Sequence, residues 1–260
     1  MSIVWIASYP KSGNTWIRFM LYSALYGPPK YSGDVPTKIP DLHRKLPFVK
    51  PESGPVYIKS HFQLTDKHPQ LNDTLKAIHI IRNPRDVMLS ALHYHVLTNK
   101  DPAELAKESF IKSFLQVGGD LHWKTMGFGT WASHARTWRS TTLFPVLPMR
   151  YEELKADPRA QLVRMLSFLE VSRTDEQVDQ AVKASSFDSM KALEIREKQA
   201  NKGNENAKHI FVGTKNATRK GVYFMNQGKS NQSLDQLIPG LDEKFNKYFK
   251  EALEEFGYAS

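Results

Sequence analysis

The chain of 260 residues contains no cysteine. A disulfide framework and a cysteine-ligated metal site are therefore excluded, and the sequence is compatible with a reducing compartment. No apolar stretch reaches the roughly 18 residues that cross a bilayer. The first apolar run, Ile3-Val-Trp-Ile-Ala7, is too short for a signal peptide and lacks a basic leader, so we expect a cytoplasmic protein. Neither an HExxH motif nor an Asp-rich calcium loop occurs, and we expect no metal.

Acidic side chains are outnumbered by basic ones, 27 to 36, which gives a formal net charge of +9 and an isoelectric point near 9.5. This balance suits a highly anionic partner, but it does not distinguish a nucleotide from a nucleic acid or an acidic membrane surface. Hydrophobic residues make up 40% of the chain, and no internal repeat is visible. We therefore expect one domain, residues 1–260, with a sizeable core.

Short apolar runs alternate with helical patterns along the chain. Strands are predicted near residues 3–8, 56–60, 77–82 and 146–150, and the clearest helical patterns cover residues 15–26, 158–170, 174–184 and 241–256. This alternation predicts an α/β fold in which helices flank a central parallel sheet. In the last helical pattern one apolar stripe is expected to face the core; it comprises Phe245, Tyr248, Phe249, Leu253 and Phe256.

The segment Tyr9-Pro-Lys-Ser-Gly-Asn-Thr-Trp16 joins the first predicted strand to the first predicted helix. Free backbone N–H groups and the positive end of the helix dipole favour an anion at such a corner. Gly13 permits close approach of the backbone, and Lys11 adds a full positive charge. The segment is not a Walker A loop, because its lysine precedes the glycine and no second loop glycine is present. It predicts a phosphate site; a corner with a solvated lysine is the alternative when the loop is considered alone.

Two further basic segments lie later in the chain. The run Ala77–Ile81 leads into Arg82-Asn-Pro-Arg-Asp86, and Ser90 follows eight positions after Arg82. A guanidinium and a hydroxyl at this spacing can converge on one phosphate while Asp86 supports the helix start, although an ion-paired loop is the plainer alternative. The triplet Arg219-Lys-Gly221 ends a polar stretch and, taken alone, predicts a solvated loop.

In this order the three segments resemble the nucleotide-binding motifs of sulfotransferases, which move a sulfuryl group from 3′-phosphoadenosine 5′-phosphosulfate (PAPS) to a hydroxyl or amine. The resemblance covers about Ile3 to Gly221. It implies a P-loop-like sulfotransferase fold, PAPS as cosubstrate, and 3′,5′-adenosine diphosphate (PAP) as product.

The resemblance also implies which residues contact the nucleotide. The first segment would hold the 5′ side, with Trp16 stacked on adenine: Lys11, Ser12, Gly13, Asn14, Thr15 and Trp16. The 3′-phosphate would be held by Arg82, Ser90, Arg219, Lys220 and Gly221. Tyr151, Ser185 and Phe187 would surround the purine and ribose.

Sulfuryl transfer needs a base, because an acceptor hydroxyl is a poor nucleophile until its proton is removed. His61 follows the end of the predicted strand 56–60, on the side where open α/β sheets bind ligands, and Lys59-Ser-His61 resembles the family's Lys-Thr-His segment. The resemblance therefore implies His61 as general base, Lys59 and Lys11 as partners of the sulfuryl and leaving-group oxygens, and Ser90 as a further catalytic residue.

The remaining histidines carry weaker expectations. His79 alternates within a strand and is expected in the core, whereas His43, His68 and His209 lie in polar segments and are expected to be solvated. For His93, His95 and His134 a structural role is favoured, and a place in the acceptor pocket is the alternative for the first two.

The chain departs from the family pattern in two places. Asn14 stands where many members have threonine, and Val222-Tyr-Phe-Met-Asn226 replaces the usual Gly-Asp-Trp-Lys. These departures favour a bacterial-type relative. No family dimer motif is evident, so the oligomeric state is left open.

The acceptor is expected to be a small molecule bound by residues 28–55 and 93–128. Aromatic side chains in the second range favour an apolar or aromatic alcohol, unless they pack a lid: Tyr94, Phe110, Phe114, His122, Trp123 and Phe128. The main alternative function is a non-catalytic nucleotide- or nucleic-acid-binding protein, but the basic residues cluster at strand ends rather than along one helix face, so no nucleic-acid partner is expected. A nucleotide kinase would need the missing Walker A loop.

Overall fold

A computed structural model describes residues 2–43, 53–98, 105–200, 211 and 221–259. In these ranges four strands form one parallel sheet of order β2-β1-β3-β4: β1 (Ile3–Ser8), β2 (Val56–Ser60), β3 (Thr74–Ile81) and β4 (Val146–Arg150). The predicted parallel sheet is confirmed. Strand β3 begins three residues earlier than its apolar run indicated.

Strand β1 lies between two neighbours, and all six of its residues are buried. In the register of the sheet, Ala7 pairs with Ser60 of β2 and with His79 of β3. The carboxyl ends of these strands therefore reach the same edge, and the loops that follow them meet there. This edge is where an open α/β sheet binds ligands.

Helices cover both faces of the sheet. They are α1 (Asn14–Tyr26), α2 (Asp34–Lys38), α3 (Pro84–Thr98), α4 (Leu105–Val117), α5 (Leu121–Trp123), α6 (Trp131–Ser140), α7 (Tyr151–Ala156), α8 (Pro158–Phe168), α9 (Asp175–Ala184), α10 (Phe187–Ala200) and α11 (Leu241–Glu255). A 3₁₀ turn covers Leu71–Asp73, and a π turn covers Lys124–Phe128. None of the helices in the described ranges is long and apolar enough to span a bilayer.

Successive side chains of β1 point to opposite faces of the sheet and so contribute to two hydrophobic cores. Val4 and Ile6 pack with Ile17 of α1 and with α8 and α9, whereas Ile3 and Trp5 face the side on which Trp138 of α6 packs. Burial of large apolar side chains on both faces is the main stabilising contribution here, at about 25 cal/mol per Å² of apolar surface. It also fixes the loops at the carboxyl edge on a rigid base.

The predicted helices are present, with ends shifted by one or two residues. Thr174 caps α9 through a capping box with Gln177, as its Ser/Thr-x-x-Glu/Gln spacing favours. One expectation is wrong: Tyr248 of α11 is 51% exposed, whereas Phe245 and Phe249 are buried. Tyr248 lies beside the buried part of the apolar stripe, where α11 meets solvent.

Candidate active site

The turn after β1 has a shape that only a few residues permit. Lys11 and Gly13 both have positive φ, 68° and 105°. A Cβ at Gly13 would lie 2.8 Å from a ring carbon of Tyr151, so this position requires glycine both for its backbone angle and for the close approach. Asn14 fixes the corner, since its Nδ2 donates to the Ile6 carbonyl (2.9 Å) and to the Ser8 hydroxyl (3.2 Å).

The Lys11 ammonium lies in a partly buried, cationic neighbourhood. Its Nζ is 4.1 Å from the centre of the Phe224 ring and 4.8 Å from that of Tyr94. Burial, together with the nearby charges of Arg82 and Lys59, lowers the pKa of Lys11 to about 7. Three cations held this close favour binding of a polyanion, which would relieve their repulsion.

The Arg82 side chain connects three parts of the chain. Its Nη1 donates to the Lys11 carbonyl (3.2 Å), its Nη2 donates to the Lys229 carbonyl (2.7 Å), and its guanidinium lies 4.2 Å from the centre of the Tyr151 ring. Its Nε is buried and has no hydrogen-bond partner among the described residues. A buried N–H group without a partner, in a site with other cations, can donate a hydrogen bond to an anionic ligand.

Asp86 lies in the first turn of α3, where its negative charge supports the helix start as expected. Its carboxylate also accepts hydrogen bonds from the backbone N–H groups of Asn231 (2.9 Å) and Gln232 (3.2 Å). Asn83 supports the helix start as well, because its Oδ1 accepts from the Arg85 N–H (3.0 Å). Asp86 therefore fixes the loop that reaches Arg82 from the far end of the chain.

His61 is partly buried and has a defined tautomer. Its Nδ1 lies 2.7 Å from the Ser8 carbonyl oxygen, which can only accept, so Nδ1 carries the hydrogen and Nε2 keeps a lone pair. Burial holds the pKa of His61 well below its usual range, and the charges of Lys59 and His43 add to the effect. The ring is therefore neutral at neutral pH and can accept a proton.

His43 supports this arrangement, which contradicts the expectation of a solvated side chain. Its Nε2 accepts the backbone N–H of His61 at 2.7 Å, and the two rings stack with centroids 5.5 Å apart. Burial lowers the pKa of His43 to about 4, and Lys59 contributes. No local sequence pattern predicts this contact, because residue 43 reaches β2 only through the fold.

His68 was also wrongly expected to be solvated. It is 4% exposed, its Nε2 lies 3.1 Å from the Ser60 hydroxyl, and its ring packs edge-on against Trp5 at 4.8 Å. Burial lowers its pKa to about 4. The loop after β2 folds back over the sheet and buries the imidazole. His79 lies in the core as predicted, and His209 falls outside the described residues.

Lys59 has a partner that sequence reasoning missed. Its ammonium lies 2.7 Å from Oδ2 of Asp41, which belongs to the predicted acceptor segment 28–55. Burial alone would raise the pKa of Asp41, but Lys59 and Arg18 outweigh it and hold that pKa well below its usual range. The pair fixes Lys59 beside His61 with its charge partly compensated.

One cavity of about 950 Å³ collects most of the predicted site residues. Its wall includes Lys11, Gly13, Asn14, Thr15, Trp16, Lys59, His61, Arg82, Ser90, Tyr151 and Phe187. Three predicted residues are not on this wall: Ser12 is buried, the Ser185 hydroxyl donates to the Ala181 carbonyl (2.8 Å), and Gly221 is exposed. Arg219 and Lys220 fall outside the described residues.

A sulfotransferase domain family matches residues 2–257 of the sequence. The chain belongs to the sulfotransferase family. An amine sulfotransferase of Oryctolagus cuniculus is 28% identical over 261 residues, which cover 97% of this chain and 81% of that protein. The chain is therefore an enzyme of sulfuryl transfer.

Solved structures agree on the fold of this sulfotransferase. A complex of retinol dehydratase with androsterone and the inactive cofactor PAP aligns with a TM-score of 0.70 at 17% identity, over 96% of this chain and 80% of that one. A mouse sulfotransferase, SULT7A1, complexed with PAP aligns with a TM-score of 0.65 at 20% identity, over 97% and 84%. The predicted P-loop-like sulfotransferase fold is confirmed.

Predicted acceptor residues of the sulfotransferase divide into two groups. Tyr94, His122, Trp123 and Phe128 line the cavity, together with His93 and His95. Phe114 of α4 is fully buried in the core and stacks on Phe249, and Phe110 packs against the His95 ring at 5.1 Å. The aromatic content of residues 93–128 therefore serves both the cavity and the core.

The segment Phe224–Lys229 also lines the cavity, and its first three residues belong to the predicted departure from the family pattern, Val222–Asn226. The Glu194 carboxylate accepts the backbone N–H groups of Phe224 (2.6 Å) and Met225 (2.8 Å) and fixes the segment on α10. Glu194 is fully buried and lies four positions after the buried Met190, on the same face of α10. An acidic residue on an apolar helix face was the available signal, because a buried carboxylate needs partners.

Proposed function

We propose that this sulfotransferase moves the sulfuryl group of PAPS to a hydroxyl or amine of a small-molecule acceptor by in-line displacement, with His61 as general base. The observation that carries the proposal is the hydrogen bond from His61 Nδ1 to the Ser8 carbonyl. It leaves Nε2 unprotonated in a ring that lines the same cavity as Lys11. A base held in one tautomer at neutral pH is what the chemistry requires.

The residues of the cavity fit PAPS. Lys11, Lys59 and Arg82 supply positive charge for its phosphates and sulfate, and Arg82 has a buried N–H that a phosphate oxygen can satisfy. The rings of Trp16 and Tyr151, with centroids 5.7 Å apart, offer apolar surface to a purine. Retinol dehydratase and SULT7A1 hold PAP in their solved structures. We carry this ligand over as part of the proposal.

When bound, PAPS supplies an electrophilic sulfur on a phosphate leaving group. The acceptor oxygen or nitrogen forms a bond to sulfur while the bond from sulfur to the bridging oxygen breaks, and that electron pair leaves with PAP. His61 Nε2 takes the acceptor proton. The Lys11 ammonium stabilises charge on the departing oxygen, Lys59 stabilises the sulfuryl oxygens, and Ser90 contributes a hydroxyl with Arg82. The scheme uses no metal ion.

Three further expectations belong to the same proposal. The acceptor is an apolar or aromatic alcohol or an amine, the chain acts as one domain over residues 1–260, and it works in the cytoplasm. The aromatic wall of the cavity supports the first, and the match over residues 2–257 supports the second.

The proposal is tested by replacing His61 with alanine. Loss of a general base lowers turnover by roughly 10² to 10⁴, whereas PAP affinity, measured by calorimetry, should change by less than about threefold. Transfer is measured with radiolabelled PAPS and a panel of phenols and amines. Unchanged turnover in the variant would rule out His61 as the base. Failure of the unmodified protein to bind PAP would rule out the donor.

A further inference from the structure

The acceptor end of the cavity contains an imidazole–carboxylate pair that the proposed mechanism does not use. His95 lies on α3 and lines the cavity, and its Nε2 is 2.5 Å from Oδ2 of Asp120. Asp120 is 2% exposed, between α4 and α5. The pair belongs to neither the nucleotide-binding loop nor the surroundings of His61.

Asp120 is held rigidly. Its Oδ1 accepts the backbone N–H of Trp123 at 3.0 Å, and its own backbone N–H donates to the Tyr9 hydroxyl at 2.8 Å. Both carboxylate oxygens are therefore engaged, one of them by His95. A buried carboxylate is costly unless it is paired in this way, so the contact orients the His95 ring firmly.

The contact with Asp120 determines which ring nitrogen of His95 is left for a ligand. A carboxylate accepts hydrogen bonds, so Nε2 carries a hydrogen and Nδ1 is the remaining polar atom. The ring lies among aromatic side chains, with centroids 6.0 Å from Trp123 and 5.1 Å from Phe110. His95 thus presents one polar atom in a mainly aromatic wall.

The neighbouring rings indicate which end of the acceptor meets His95. Tyr94 contacts the Lys11 ammonium, 4.8 Å from its ring centre, and the His95 ring lies 6.2 Å from Tyr94. The His95 ring is therefore about one aromatic side chain away from the Lys11 ammonium, which faces the departing oxygen in the proposed mechanism. A molecule whose reacting group is near Lys11 and His61 would place its other end at His95.

We propose that His95, positioned by Asp120, binds a second hydroxyl of the acceptor. This rests on the proposed function and narrows its substrate class to aromatic or apolar compounds with hydroxyl groups at two ends, one of which receives the sulfuryl group. A hydroxyl suits Nδ1 because it can either donate or accept. A purely apolar acceptor would bury Nδ1 without a partner, and sites of this kind reject analogues that lack the hydroxyl.

The test compares matched phenols that differ only in a terminal hydroxyl. The three pairs are the methyl, ethyl and propyl 4-alkylphenols and their ω-hydroxyalkyl counterparts, which sample the unknown span. Affinity is measured by calorimetry in the presence of PAP, so that the ratio within each pair is obtained whether or not the phenol is sulfated. The unmodified protein should prefer at least one hydroxylated phenol by tenfold or more, and His95→Phe should reduce that ratio to near one.

Two further variants separate recognition from structure. Asp120→Asn keeps the size of the side chain but presents an amide to His95, and it should lower the same ratio; a purely structural role would weaken both members of a pair equally. His122→Gln changes another imidazole of the same cavity wall and should leave the ratio unchanged. PAP binding by each variant reports an intact fold.

The proposal is overturned by a ratio near one for all pairs in the unmodified protein, by a ratio that survives His95→Phe, by a ratio lost only in His122→Gln, or by no phenol binding at all. Failure of the proposed function looks different, because PAP itself would not bind.

Discussion

The lowered pKa of Lys11 predicts how donor affinity depends on pH. In the free protein burial, Arg82 and Lys59 bring this pKa to about 7. A bound nucleotide adds negative charge beside the ammonium and raises the pKa again. Above pH 7 binding must therefore be accompanied by proton uptake at Lys11, and PAP affinity should fall as the pH rises.

The size of the effect follows from linkage. A group with a pKa of about 7 that must be protonated in the complex weakens binding by about 50-fold, or about 2.3 kcal/mol, between pH 7 and pH 9. Phosphate monoesters have their second pKa near 6, so the ligand contributes little in this window. The sign of the pH dependence is also defined, because deprotonation of Lys11 removes a positive charge and so weakens the binding of an anionic nucleotide.

Calorimetry at pH 7, 8 and 9 measures the affinity, and repeating it in two buffers of different ionisation enthalpy counts the protons taken up. Uptake should rise from about half a proton at pH 7 towards one at pH 9. Lys11→Arg keeps its charge throughout this range and should flatten the profile. Lys250→Met removes an exposed lysine of α11 and should leave the profile unchanged.

A pH-independent affinity of the unmodified protein, with no proton uptake, would refute the lowered pKa. A steep profile that persists in Lys11→Arg would assign the proton to another group. Either result would leave both the cationic role of Lys11 and the family membership of the chain untouched.

Two other predictions concern Arg82 and His134. Arg82→Lys should reduce the preference for PAP over ADP at least tenfold, because an ammonium cannot reproduce the planar fork that meets the Lys11 and Lys229 carbonyls; unchanged selectivity in calorimetry would place the 3′-phosphate elsewhere. Burial lowers the pKa of His134 to about 3, so the unfolded chain binds its proton near pH 6.5 while the folded chain does not. This histidine should cost about 1 kcal/mol of stability between pH 7 and pH 5.5; urea unfolding of His134→Phe should show a correspondingly smaller loss, and an equal loss would contradict the assignment.

The parts of the molecule that local chemistry determines could be predicted from the sequence. The apolar run Ile3–Ala7 predicts a strand, and the turn at Gly13 follows that strand in the chain. Arg82 likewise follows the last residue of β3. Parallel pairing then brings the ends of the strands together. The placement of His61 at the end of β2 followed from the same rule.

Contacts between distant segments could not be predicted. His43 and Asp41 meet His61 and Lys59 only after the polar segment before β2 returns to the sheet, and no local pattern marks this. The segment Phe224–Lys229 is held at the cavity wall by backbone hydrogen bonds to the buried Glu194 carboxylate of α10. At Tyr248 a local pattern was present but misleading. Its helical spacing predicted burial, but which residues at the edge of an apolar stripe are buried depends on the helices and loops that pack against it.

The hydrogen bonds of Arg82 have a consequence for how the enzyme is made. They join this residue to carbonyls 71 positions earlier and 147 positions later in the chain. Asp86, four residues on, is bonded in the same way to Asn231 and Gln232. During synthesis the sheet and the turn at Gly13 leave the ribosome long before Lys229, Asn231 and Gln232. The cationic cavity around Arg82 therefore cannot be completed until nearly the whole chain has been made.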